Sequence, residues 1–172
     1  MKKTINFLRG IIMMVMVMVM IISSSYTSST NDIHSYETEL QYLSEHLNVD
    51  VDNKYTLISF WHSGFPYSRI NNQHLKQVYE EFKDKSFAFD ANGLNLLYIS
   101  TDEFNSPRKK AIKADELGDY PNLWDKDKSI SYAFESHLPE FVLLNSLGYI
   151  CIKTTNIDEV REKLKYFQRK NF

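Results

Sequence analysis

The stretch from Tyr55 to Arg69, YTLISFWHSGFPYSR, constrains this chain more than any other. Leu57, Ile58, Phe60 and Trp61 form a short apolar run, with Lys54 before it and Ser63-Gly64 after it. Such a run suits a central strand covered on both faces of a sheet. Pro66 then stands where a helix favours its first residue, with Ser63 or Gly64 placed to act near the cap. Strand, glycine turn and proline-led helix therefore follow one another directly.

The chain beyond it supplies that strand with neighbours. From Pro66 to Lys85, Ile70, His74, Val78 and Phe82 share a helical stripe with Leu75 and Tyr79, while Glu80, Glu81 and Lys83 lie opposite. Ser86 to Gly93 reads as a loop, and Leu94 to Ser100 as a second apolar strand ending in Thr101-Asp102. A helix is expected around Pro107 to Leu117, closed by Gly118. Its Arg108, Lys109, Lys110 and Lys113 read as a solvated face rather than a docking patch. Tyr120 to Trp124 reads as a short edge strand. Ser129 to Ser136 reads as a short helix with Ile130, Tyr132, Ala133 and Phe134 facing inward. Leu138 to Ile152 holds two strands joined by a turn near Asn145 to Gly148. A last helix from Asn156 to Gln168 carries Ile157, Val160, Leu164 and Phe167 on one side.

The start of the chain is of another kind. Lys2, Lys3 and Arg9 precede an unbroken apolar run from Ile11 to Ile22, and Ser23, Ser24 and Ser25 follow. A basic start, a short apolar centre and small residues describe a secretory signal peptide. The run is shorter than the ~20 residues of a comfortable membrane span. A cleaved signal is thus the first expectation, and a retained membrane tether through residues 5–22 the second. Residues 1–25 are read as signal or anchor, and 26–48 as a linker with a short amphipathic helix. Residues 49–172 are read as the folded domain, long enough for one core. A formal charge of −2 makes no electrostatic case for nucleic acid, and 14 % aromatic residues do not fit a disordered chain.

The order strand, helix, strand, helix, hairpin, helix, with the run from Phe60 to Arg69, resembles the thioredoxin-like superfamily. The likeness is to its TlpA/ResA-like branch, of the redoxin or AhpC-TSA type, whose members are bacterial periplasmic thiol–disulfide proteins. In that branch the first core strand ends roughly F-W-A-x-W-C-x-x-C-R. The frame is kept here at Phe60, Trp61, Pro66 and Arg69, while Phe65 and Ser68 stand where the two cysteines would be. The resemblance implies an α/β fold of three layers, α/β/α, around a central mixed sheet. It also implies a cis-proline facing the turn, a place that Pro139 takes.

That departure decides the chemistry. Thiol–disulfide exchange needs a nucleophilic thiolate and a second, resolving thiol. Phe65 and Ser68 supply neither, and the one cysteine, Cys151, lies in an apolar strand pattern where a free cysteine packs as a small hydrophobe. Ser68 with His62 lacks an evident orienting acid and the G-x-S-x-G elbow, so a hydrolase is disfavoured. The five histidines are scattered, and a His62–His137 pair is a weak metal candidate. No cofactor is expected, and only 5 glycines leave no phosphate loop. In active relatives the turn and the cis-proline loop hold an extended peptide. The resulting expectation is an exported, redox-inactive domain that binds a peptide or envelope protein. Its surface is expected to comprise Trp61, His62, Phe65, Pro66, Tyr67 and Ser68 with Leu138 and Pro139. The alternative is a thiol–disulfide oxidoreductase or peroxiredoxin-like antioxidant of the cell envelope acting through Cys151.

Overall fold

The computed structural model describes residues 53–168, so the signal or anchor, linker and entry helix expected within 1–48 lie outside the described residues. The strand β1 spans Tyr55–Trp61, and every residue of it is buried. β2 spans Leu94–Ser100 and β3 Asn122–Trp124, while β4 spans Glu140–Leu144 and β5 Ile150–Thr154. They form one sheet in the order β3-β2-β1-β4-β5. β1 runs parallel to β2, and β2 parallel to β3, whereas β4 is antiparallel to both β1 and β5. The sheet is therefore mixed, with β1 at its centre.

Alternation along β1 feeds two cores. Tyr55, Leu57 and Trp61 face one side with Leu96, Tyr98, Phe141 and Leu143. The helices α1 (Pro66–Phe82) and α4 (Ile157–Phe167) cover that side through Leu75, Val78 and Phe82 and through Val160 and Leu164. Ala111 of α2 (Asn105–Ala114) joins the same cluster. Ile58, Phe60, Leu97, Ile99, Val142 and Leu144 face the other side, where Ile130 and Phe134 close over them. These two come from the short helix α3 (Ser129–Ala133) and its C-cap. The molecule has the thioredoxin-like α/β fold, a mixed five-stranded sheet flanked by helices.

Several local expectations need correction. The buried stripe of α1 is Ser68, Asn72, Leu75, Val78 and Phe82, while Ile70 and His74 face solvent. Two polar residues are buried there because each has a partner: Ser68 Oγ accepts from His62 N, and Asn72 donates to Asp115 while its backbone carbonyl accepts from the Tyr98 hydroxyl. Arg69 and Asn72 both donate to the Asp115 carboxylate, Arg69 through two nitrogens. α2 ends at Ala114, and Glu116 takes the left-handed φ of 55° expected of Gly118. Arg108 leaves its basic neighbours and is buried: it donates to Asn122 O at 3.2 Å and lies 5.9 Å over the Trp124 ring. Of the four residues expected to face inward around α3 only Ile130 and Phe134 do, with Ser131 buried beside them, and Tyr132 and Ala133 are exposed. The loop from Ser86 to Gly93 forms two isolated β-bridges, and its Phe87 reaches the core against Tyr55 at 4.9 Å between ring centroids.

The hairpin turn falls where expected. Asn145 Oδ1 accepts from the backbone N–H groups of Leu147 and Tyr149, and Gly148 has φ 89°. The side chain thus closes the turn that glycine permits. Asn156 caps α4 by accepting from Asp158 N at 3.0 Å.

Candidate functional site

The parallel strands β1 and β2 end at the same edge of the sheet, the edge where open α/β sheets hold ligands. β1 runs into His62-Ser63-Gly64, and β2 into Thr101-Asp102. Thr101 donates its backbone N–H to Trp61 O at 3.0 Å and so ties the two ends together. Asp102 is 1 % exposed and gathers the turn around itself. It accepts from Ser63 N at 3.2 Å, from Ser63 Oγ at 2.5 Å and from Ser100 Oγ at 2.6 Å. A buried carboxylate is tolerated only with such partners, since desolvating it without them is costly.

His62 stands over this acid. Gly64 N donates to Nδ1 at 3.0 Å, which leaves Nε2 to carry the ring proton and face Asp102 Oδ1 at 3.7 Å. A Cβ on Gly64 would come within 3.2 Å of the imidazole, so glycine lets the ring fold back here. Phe65 stacks on that ring, with centroids 4.8 Å apart, and is 44 % exposed. Phe65, rather than Ser63 or Gly64, is the N-cap residue of α1, with Pro66 next and no side chain capping the helix. Ser63 is drawn away from the cap by Asp102.

The expected surface residues divide by depth. Phe65, Pro66 and Tyr67 are exposed, and His62 is half-buried. Leu138 and Pro139 are half-buried as well, and the peptide bond between them is cis. The pairing of Phe60 with Glu140 brings Pro139 to the end of β1 beside the turn. Trp61 and Ser68, by contrast, are buried at 0 % and 1 % exposure. They lie beneath the surface, and Ser68 Oγ accepts from His62 N at 3.4 Å. Arg69 is turned away to Asp115, whose hydrogen bonds raise the guanidinium pKa.

A cavity of about 420 Å³ opens between His62, Phe65 and Leu138. Its remaining wall includes Lys128, Tyr132 and Ser136, from α3 and the segments on either side of it. Sequence reading missed this wall, and it took Asp102 for a plain strand terminator. The parallel neighbourhood of β1 and β2 was the signal that would have placed Asp102 at the turn. His137 is exposed, with its N–H donating to Glu140 Oε2 at 3.1 Å. Among the described residues no group of three or more His, Cys, Asp or Glu side chains is placed to hold a metal ion.

Cys151 is at the other end of the sheet. Leu144 pairs with Thr56 on one side and Ile150 on the other, whereas the turn lies beyond the pair Phe60–Glu140. At roughly 3.3 Å per residue, the length of β1 separates the two ends. Burial pushes the Cys151 thiol up, away from the thiolate that exchange chemistry uses.

No family model matches this chain, and no curated protein matches it. Solved structures do. The thioredoxin domain of a thiol–disulfide oxidoreductase from Bacteroides vulgatus is 26 % identical, with a TM-score of 0.58, over 68 % of this chain and 81 % of that one. A thiol:disulfide interchange protein from Bacteroides sp. is also 26 % identical, with a TM-score of 0.56, over 69 % of this chain and 75 % of its own. A secreted disulfide oxidoreductase of Mycobacterium tuberculosis shares the fold at 18 % identity and a TM-score of 0.55, over 68 % of this chain and 84 % of that one. By its sheet order and these neighbours, the chain has the thioredoxin-like fold, and the two solved structures it resembles at 26 % identity are a thiol–disulfide oxidoreductase domain and a thiol:disulfide interchange protein.

Proposed function

We propose that this domain holds an extended polypeptide at the turn 62–69 and the Pro139 loop without exchanging a disulfide with it. The observation that carries the reading is a separation. The strand-to-helix turn and the cis-proline loop stand together, and the chain's one sulfur outside the methionines is at the opposite end of β1. Phe65 and Tyr67 offer exposed aromatic surface beside a helix N-terminus with no side-chain cap, a place suited to receiving a peptide carbonyl. The leader from Lys2 to Ser25 supports work outside the cytoplasm, on an envelope or secreted partner.

A titration of the full chain with carbamidomethylated insulin B chain, an extended polypeptide with no thiol, tests the reading by NMR. Shifts are expected at His62 to Tyr67 and at Leu138–Pro139, and Phe65→Asp is expected to remove them. Absence of those shifts at a peptide concentration of about 1 mM, the weakest useful affinity, contradicts it.

The second reading, a thiol–disulfide oxidoreductase, has the solved neighbours in its favour. It requires Cys151 to act alone from the far end of the sheet. Dithiol-dependent insulin reduction that disappears in Cys151→Ser would establish it.

A further inference from the structure

We propose that the cavity beside the turn takes a carboxylate, either the C-terminus or an acidic side chain of the polypeptide held there; the inference rests on that binding reading and names its chemistry. Three features of the cavity point to it. The first is Lys128, which is half-buried and lines the cavity. Among the described residues no carboxylate stands within ion-pair distance of its ammonium. Its backbone is fixed at φ 62°, with its N–H donating to Asp125 O at 3.2 Å and its carbonyl accepting from Ser131 Oγ at 3.1 Å. The backbone at the root of this side chain is thus held at the wall.

The nearby acids are otherwise engaged or screened. Asp125 is buried, and its two oxygens accept from Ile130 N at 3.1 Å and Ser131 N at 2.8 Å. Asp102 lies behind His62 and is held by the Ser63 and Ser100 hydroxyls. Glu103 lines the cavity too but is exposed, where solvent weakens its field.

The second feature is Ser136. Its hydroxyl is buried with no hydrogen-bond partner, while its backbone N–H donates to Ser131 O at 2.8 Å. An unmade buried hydrogen bond is a standing cost, and a rotation of the hydroxyl towards the cavity that Ser136 lines would let a carboxylate oxygen relieve it. The third is the apolar surface of Phe65, Tyr132 and Leu138 around these donors. A ligand residue fits by packing its body on the aromatic and leucine walls while its charge meets Lys128 and Ser136. A volume of about 420 Å³ admits a ligand of one or two residues.

The test uses the full chain and two matched pairs of probes. N-acetylphenylalanine against its amide supplies a terminal carboxylate. N-acetyl-Phe-Glu-amide against N-acetyl-Phe-Gln-amide supplies a side-chain carboxylate. In at least one pair the acid is expected to bind about tenfold more tightly than its neutral partner, the worth of one charge-assisted hydrogen bond. Lys128→Met and Ser136→Ala are each expected to shrink that ratio, and Lys109→Met on the exposed face of α2 to leave it unchanged. The pair that discriminates identifies the source of the carboxylate. Equal affinity of acid and neutral probe in both pairs overturns the proposal, as does a ratio indifferent to Lys128→Met. The insulin B chain titration stands apart. If it shifts the turn while acids and amides bind alike, the carboxylate proposal alone fails. If it fails while the acids are preferred, the polypeptide reading alone fails.

Discussion

The two ends of β1 differ: the strand-to-helix turn and the cis-proline loop stand at one, and the single cysteine of the sequence at the other. At its C-terminal end stand the turn, the proline-led helix, the cis Leu138–Pro139 bond and a cavity, with Phe65 exposed and Ser68 buried beneath it. At its N-terminal end stands Cys151, half-buried beside Tyr55 in the apolar cluster under α4. The first end has geometry without a thiol, the second a thiol without geometry. The contrast teaches that a fold does not by itself fix chemistry, so what each end can do is set by its own side chains.

The largest test of the contrast is at Asp102. Asp102→Ala removes the acceptor for the Ser63 amide, the Ser63 hydroxyl and the Ser100 hydroxyl at once. A loss of about 3 kcal/mol or more in urea unfolding is expected, since buried donors are left unpaired. A loss below about 1 kcal/mol would mean that the turn is not built on this acid. Next comes Asp115→Ala, which frees Arg69 and Asn72 and so loosens the start of α1. It is expected to cost about 2 kcal/mol by the same measurement.

Alkali probes the opposite end. Burial, and then the neighbouring Cys151, push Tyr55 up to about 12, and burial pushes the Cys151 thiol up as well. Between the ordinary and the raised values the folded chain keeps protons that the unfolded chain releases. Stability is therefore present below that range and falls as pH rises through 10 towards about 12. Tyr55→Phe is expected to flatten the fall in an unfolding series against pH, and an unchanged slope would contradict the assignment.

Smaller effects separate binding from folding. Cys151→Ser replaces a half-buried thiol by a group of similar size and is expected to cost about 1 kcal/mol or less, with peptide binding unchanged. Phe65→Asp gives α1 the capping side chain it lacks and gives up the contact with His62. Thermal unfolding is expected to move by no more than about 1 kcal/mol in either direction, while peptide binding is lost. If binding survives Phe65→Asp, the exposed ring is not part of the surface.

Much of this was legible before the structure because local signals agreed with one another. The apolar run before Ser63-Gly64, Pro66 at the first helical position and the Asn145 to Gly148 turn each state their element in a few residues. What the sequence hid was tertiary. Ile70 and His74 fall on a credible stripe, yet both face solvent while Asn72 turns inward to Asp115 and Val78 and Phe82 of the same stripe stay buried. Arg108 reads as one more cation in a basic run until Trp124 and the Asn122 carbonyl receive it. Asp102 is close to the turn only because β1 and β2 end together. Lys128, Tyr132 and Ser136 become a cavity wall only because α3 folds down beside the cis-proline loop. None of these pairings is local, so no window of sequence displays them.

The separation of geometry from sulfur is tested most directly by placing sulfur at the turn. Insulin reduction with a dithiol should run at background for the wild-type chain and rise well above it for the Phe65→Cys, Ser68→Cys double variant, whose second thiol would be buried as Ser68 is. Wild-type turnover above background, or a double variant that forms no disulfide and stays inert, would contradict the account.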